Sequence, residues 1–137
     1  MRMRIFSIVL SRFAMAFGLA ALVASTAQAS EVVNSTVPFA FTAGTSDLPA
    51  GQYRLTIDRD QRVVTVQDAK SGKSVVVQFV TTLSRDPGSK SGEARVVFDK
   101  SEDGKHMLSE VWSPKGDGVL VGAAKGKHEH KVIDVKE

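Results

Sequence analysis

An all-β fold, an antiparallel β-sandwich or small β-barrel of about seven to eight strands, follows from three features of the sequence. Apolar residues alternate with polar ones in several short runs, as in Gln52-Tyr53-Arg54-Leu55-Thr56-Ile57, where Tyr53, Leu55 and Ile57 share a face. A period of two is what a half-buried strand requires, because successive side chains point to opposite sides of a sheet. Clusters of Gly, Pro, Asp and Ser punctuate these runs, and beyond the N-terminus no segment sustains a helical period.

The N-terminal 29 residues stand apart. Arg2, Arg4 and Arg12 precede or open an uncharged apolar run from Phe13 to Ala24, and Ala27-Gln28-Ala29 supplies the small-x-small pattern of a signal-peptidase site. That run is about 12 residues, short of the roughly 20 that a spanning helix needs. The sequence thus predicts a cleavable signal helix over 1–29 and a single all-β domain over 30–137, exported to the periplasm or the extracellular space. No membrane span is expected after cleavage. No Cys follows the cleavage site to accept a lipid, and no Arg-Arg pair suggests the twin-arginine route.

Removing the signal changes the charge argument. Of the 18 Lys and Arg, three lie in the signal, leaving 15 against 15 Asp and Glu. A domain of zero formal net charge gives no footprint for nucleic acid. The chain has no cysteine, which removes disulfides, thiolate metal sites and thiol catalysis together.

The elements follow in order. Ser30 to Thr36 is a polar lead-in that either pairs at a sheet edge or stays loose. Val37-Pro38-Phe39-Ala40-Phe41 reads as a first strand that either lies at an edge or begins near Pro38, because Pro38 cannot donate to a ladder. Thr42 to Ala50 reads as a loop and Gln52 to Ile57 as the second strand. Arg62 to Gln67 is a β-branched third strand. Ser74 to Thr82 carries Val75-Val76-Val77-Gln78-Phe79-Val80, apolar on both faces and hence expected at the centre of a sheet. Ser84 to Glu93 is the longest polar stretch and a candidate binding loop. Ala94 to Lys100 and Lys105 to Ser113 form a hairpin around Ser101-Glu102-Asp103-Gly104. Val119-Leu120-Val121 and a mostly polar run from Lys127 to Val135 complete the set.

Few residues offer chemistry. Strict alternation places His106, Leu108, Glu110 and Trp112 on one face, where a desolvated Glu110 would suit acid–base work; a solvent-facing Glu110 beside an overlying Trp112 accounts for it more simply. His128 and His130, two apart on a strand, put both imidazoles on one face and, with His106 or a carboxylate as a third ligand, could hold a divalent metal. Lys125, Lys127 and Lys131 oppose a cation there, and a lysine-rich edge that guards the sheet against aggregation is the simpler account. None of Ser84, Ser89, Ser91 and Ser109 lies in a nucleophile elbow or a Ser-x-x-Lys pattern, and phosphate-cradling loops are absent.

Val37-Pro38-Phe39-Ala40-Phe41 followed by Leu48-Pro49-Ala50-Gly51-Gln52-Tyr53 resembles a group of small secreted bacterial all-β proteins of unknown function. These share a signal peptide, a VPFxF stretch, an LPAGxY turn and a later hairpin ending near an aromatic, matched here by Val96-Val97-Phe98 and Leu108 to Trp112. The resemblance implies the fold and the exported location, and carries over no catalytic residue. The expectation is a non-enzymatic, envelope-associated binding or scaffold module without a cofactor, partnered by an envelope protein or a small ligand. The alternatives are a β-barrel enclosing a small molecule, in which Val75 to Val80 and Phe39/Phe41 would line the cavity, and a His-based metal-binding protein.

Overall fold

A computed structural model describes residues 30–85, 93–114 and 116–135. The expected signal helix and residues 86–92 of the candidate loop lie outside them. The described residues fold into eleven strands in two sheets with no helix, a sandwich-like all-β architecture. Seven strands have five or more residues: β1 (Glu31–Val37), β4 (Gly51–Asp58), β5 (Val63–Asp68), β6 (Ser74–Gln78), β8 (Ala94–Ser101), β9 (His106–Trp112) and β11 (His128–Val135). Four more span three residues each: β2 (Phe41–Ala43), β3 (Ser46–Leu48), β7 (Thr81–Leu83) and β10 (Gly118–Leu120).

The first sheet has the order β1-β4-β5-β6 and the second β11-β8-β9-β10-β7, with the β2–β3 hairpin attached to β9. All pairings are antiparallel except a single parallel bridge between Thr42 of β2 and Met107 of β9. Inward residues alternate as the sequence requires: Val33 and Val37 from β1, Tyr53, Leu55 and Ile57 from β4, Val64 and Val66 from β5. They meet Val96, Phe98, Leu108, Val111 and Val119 of the second sheet.

Two expected strands are broken by corners. The VPFAF run is not one strand: β1 occupies the polar lead-in and stops at Val37, and Pro38 opens a bend. Proline withholds its N–H and restricts the residue before it, so the ladder ends there and the chain passes to the second sheet. Phe39 from the bend and Phe41 from the start of β2 then turn toward the core. Their rings meet Phe98 edge-to-face, each at 5.1 Å, and Phe41 meets Tyr53 at the same distance. The expected loop over 42–50 contains the β2–β3 hairpin, turned by Gly44 at φ 64°. A side chain at that glycine would press on Val77 at 3.3 Å.

The run from Ser74 to Thr82 is corrected twice. It splits at Phe79 and Val80, so that β6 belongs to the first sheet and β7 to the second. Phe79 N–H donates to Arg62 O and Val80 N–H to Leu120 O, which makes the corner. β6 is also an edge strand, not a central one: Val76 is 62% and Val80 63% exposed. Its length of apolar residues misled because only Val75 and Val77 turn inward, each half-buried.

One end of the sandwich is clamped by polar contacts. Glu31 of β1 accepts from Arg59 at 2.7 Å and from Ser113 Oγ at 2.9 Å, while Arg59 also donates to Asp117 O. Arg85 donates to the carbonyls of Ser113, Gly116 and Glu93. These bonds tie the start of β1 to the β9–β10 turn in the other sheet.

Tyr53 explains the LPAGxY turn: its hydroxyl donates to Pro49 O at 2.6 Å from a ring that is 2% exposed. Burial first, and the Asp68 charge second, hold its phenol above the ordinary value. The unfolded phenol therefore ionises first, so stability holds below about pH 10 and falls as the pH rises above it. Tyr53→Phe should cost about 1 kcal/mol at neutral pH and flatten this alkaline loss. Denaturant melts at stepped pH check it, alongside tyrosinate absorbance, since the chain has one Tyr. Gly118 stands opposite Trp112, whose ring lies so close that an added Cβ would sit 2.5 Å from it. Gly118→Ala should destabilise by about 1–3 kcal/mol through overpacking, read from the same melts.

Candidate functional site

β11 places His128 and His130 on one face, as their spacing requires, with ring centroids 5.0 Å apart. The register of β11 on β8 sets His130 opposite Asp99 and His128 opposite Ser101. Both rings therefore stand beside Asp99 on the outer face of the second sheet. Asp99 Oδ1 lies 2.8 Å from His130 Nδ1, and Oδ2 lies 3.7 Å from His128 Nε2. The Asp99 residue is only 1% exposed.

What buries Asp99 is the connection from β10 to β11. Those strands flank β9 and β8 on opposite sides, so residues 121–127 cross the outer face between them. The crossing is anchored on Ser109, which is an extra residue in β9. Val97 pairs with Glu110 and the next residue, Phe98, with Leu108, leaving Ser109 bulged out of the ladder. Its carbonyl accepts from Val121 N–H and Gly122 N–H, and its hydroxyl donates to Gly122 O at 2.8 Å. Further along, Ala124 N–H donates to Asp99 Oδ2 at 2.9 Å and Gly126 O bonds His128 Nδ1 at 2.8 Å.

Asp99, His128 and His130 each offer a ligand atom, and these atoms lie within 4.8 Å of one another. His106 does not join them. It pairs with Lys100 in register, which turns it to the inner side of the sheet, and its ring stacks on Phe39 at 3.7 Å. The opposing lysine charge is smaller than the sequence suggests, because alternation turns Lys131 to the other face, where it pairs with Glu129 at 3.4 Å. The carboxylate allowed as a third ligand is Asp99, which the sequence could not single out because its partners are set by the β8–β11 register, a pairing with no local signal.

The bulge also divides the face expected to carry Glu110. His106 and Leu108 point inward, whereas past Ser109 it is Val111 that is buried in the core and Glu110 and Trp112 turn outward. Trp112 is still 6% exposed: it lies against Gly118, its indole N–H donates to Glu110 Oε1 at 2.8 Å, and Arg95 and Arg85 stand over the ring at 4.8 and 5.4 Å. Glu110 is thus occupied in holding the indole. Of the serines, Ser84 is exposed, Ser109 anchors the crossing, and Ser89 and Ser91 fall outside the described residues.

A groove of about 560 Å³ runs where the edges β1 and β11 approach, lined by Ser35, Gln52, Tyr53 and Ile133 among others. Ser35 Oγ is buried there without a hydrogen-bond partner among the described residues. Phe39 and Phe41 pack into the core by ring contacts, Phe79 is buried with them, and Val76 and Val80 face solvent. Among the described residues no helix is long and apolar enough to cross a membrane. Comparison with family models, with curated proteins and with solved structures gives no match.

Burial first, then the charges of Lys100 and Lys131, hold the His106 imidazole below its ordinary value. The unfolded ring then protonates first as the pH falls, so its contribution is intact above about pH 6.5 and is lost below it. His106→Phe, which keeps a ring against Phe39, should flatten this part of the acid limb; stability profiles of the two proteins between pH 4 and 8 check it.

Proposed function

We propose that the chain is an exported, non-enzymatic β-domain that acts as a binding or scaffold module in the periplasm or outside the cell. The observation that carries this reading is the contrast between its sheet edges. β11 is lined with charge at Glu129, Lys131 and Asp134, the usual guard against strand addition. β6 reads Ser-Val-Val-Val-Gln, has no charge, and leaves Val76 and the adjoining Val80 well over half exposed. An unguarded edge of this kind accepts an extended segment of another protein by main-chain pairing, with a shallow apolar contact at Val76 for selectivity. The occupant proposed is an uncharged extended segment of an envelope protein.

A small-ligand reading keeps one specific support, the unpartnered Ser35 hydroxyl beside the β1–β11 groove. It would place a polar molecule between sheet edges and not inside a barrel.

A photo-activated cross-linker at Gln78, in the exporting cell, should trap a heteromeric adduct that Val76→Lys removes. The same group at Glu129 should trap none. Homomeric adducts alone, or equal adducts from both edges, would overturn the edge-docking reading. Val76→Lys should shift stability by no more than about 0.5 kcal/mol, since the side chain touches solvent.

A further inference from the structure

The geometry points to a transition-metal site formed by Asp99, His128 and His130, a proposal that stands apart from the docking edge. Two imidazoles and a carboxylate are the donor set that suits zinc, copper(II) or nickel, whereas magnesium and calcium take oxygen ligands. Three observations support a built site over a chance cluster.

The first is the state of His128. Gly126 O can only accept, so His128 Nδ1 carries the proton that bonds it at 2.8 Å. In the neutral ring this leaves the lone pair on Nε2, and Nε2 is the atom that faces Asp99 Oδ2 at 3.7 Å. A backbone carbonyl that fixes the tautomer of a ligating histidine is the usual outer partner of a metal site. The second is Asp99, whose carboxylate is almost wholly buried with no lysine or arginine paired to it among the described residues. Ala124 N–H holds Oδ2 in place, and a buried carboxylate without a fixed cation is costly unless a positive charge is supplied. The third is access: the His130 side chain is 59% exposed and that of His128 24%, so an ion reaches the site from solvent.

Two donor pairs already stand at 2.8 and 3.7 Å, close to the roughly 3.3 Å between ligands of a tetrahedral zinc with bonds near 2.0 Å. The proton on His130 Nδ1 now bridges to Asp99 Oδ1. Ligation through His130 Nδ1 needs the other neutral tautomer, the proton passing through solvent from Nδ1 to the exposed Nε2; alternatively the ring turns to offer Nε2 and keeps its Nδ1 proton. Three protein ligands leave a fourth position open to solvent or to a donor from a partner, an arrangement of exchangeable rather than sealed sites.

The same contacts could merely pin residues 121–127 to the sheet, so the test must separate ligation from clamping. His128→Gln and His130→Gln keep a hydrogen-bonding side chain beside Asp99 and remove the imidazole. Calorimetric titration of the intact exported protein with zinc or copper(II) should show one ion per chain. Each single variant should weaken it at least about tenfold and the double variant abolish it. His106→Ala should leave the affinity unchanged, and magnesium should give no binding heat. Copper(II) paramagnetic resonance should show two coupled nitrogens in the parent and one in each single variant. Absence of uptake, or uptake undiminished in a folded double variant, would overturn the site and leave the cluster as a clamp.

Discussion

The contact between four aromatic rings, Phe39, Phe41, Tyr53 and Phe98, is what the two sheets share. Phe98 comes from the second sheet and Tyr53 from the first, while Phe39 comes from the bend that joins them and Phe41 from the start of β2 just beyond it. Edge-to-face rings of this kind contribute beyond their buried area, because positive ring edges meet negative faces. Without cysteine to staple the sheets, the bend after Val37 must deliver its rings accurately. Pro38 helps by ending β1 at one defined residue. The Glu31–Arg59–Ser113 contacts then hold the opposite part of β1 to the second sheet, so the strand is fastened at both ends.

From that scaffold a single irregularity leads to the candidate site. Ser109 is one residue too many for its ladder, and its freed carbonyl and hydroxyl catch the chain leaving β10. The crossing residues are thereby laid over β8 and close above Asp99, turning an ordinary outward-facing acid into a buried one. Polar satisfaction runs through the whole path: bulge to crossing, crossing to carboxylate, carboxylate to imidazole. The interior supplies rigidity, and the outer face of the second sheet carries the Asp99–His128–His130 cluster.

The sequence made some of this legible and hid the rest for physical reasons. Strands β4 and β5 and the β8–β9 hairpin could be read directly, because their period and turns are local; Gly104, at φ 85°, sits in the expected turn. The pairing of His128 with His130 on one face was also readable, since it needs only the alternation of one strand. The corner at Pro38 and the edge position of β6 were not, because both depend on which sheet the next segment joins. Valine in three successive positions looks the same in a central strand and at an edge. The bulge at Ser109 reversed the faces of Glu110 and Trp112, which alternation alone cannot foresee. Asp99 was hidden most completely, for its neighbours come from 31 and fewer residues downstream.

That separation along the chain has a consequence for the order of assembly. The β8–β9 hairpin closes through a short turn at Glu102–Lys105, whereas β11 reaches β8 only after the β10 segment and the crossing are in place. Loop closure favours the hairpin, so the C-terminal strand docks late. Asp99 consequently stays hydrated while the hairpin forms and loses water only when residues 121–135 settle. The cluster is therefore an indicator of completed folding: a chain released without its final strand would keep much of its core and yet present no pair of imidazoles to anything outside.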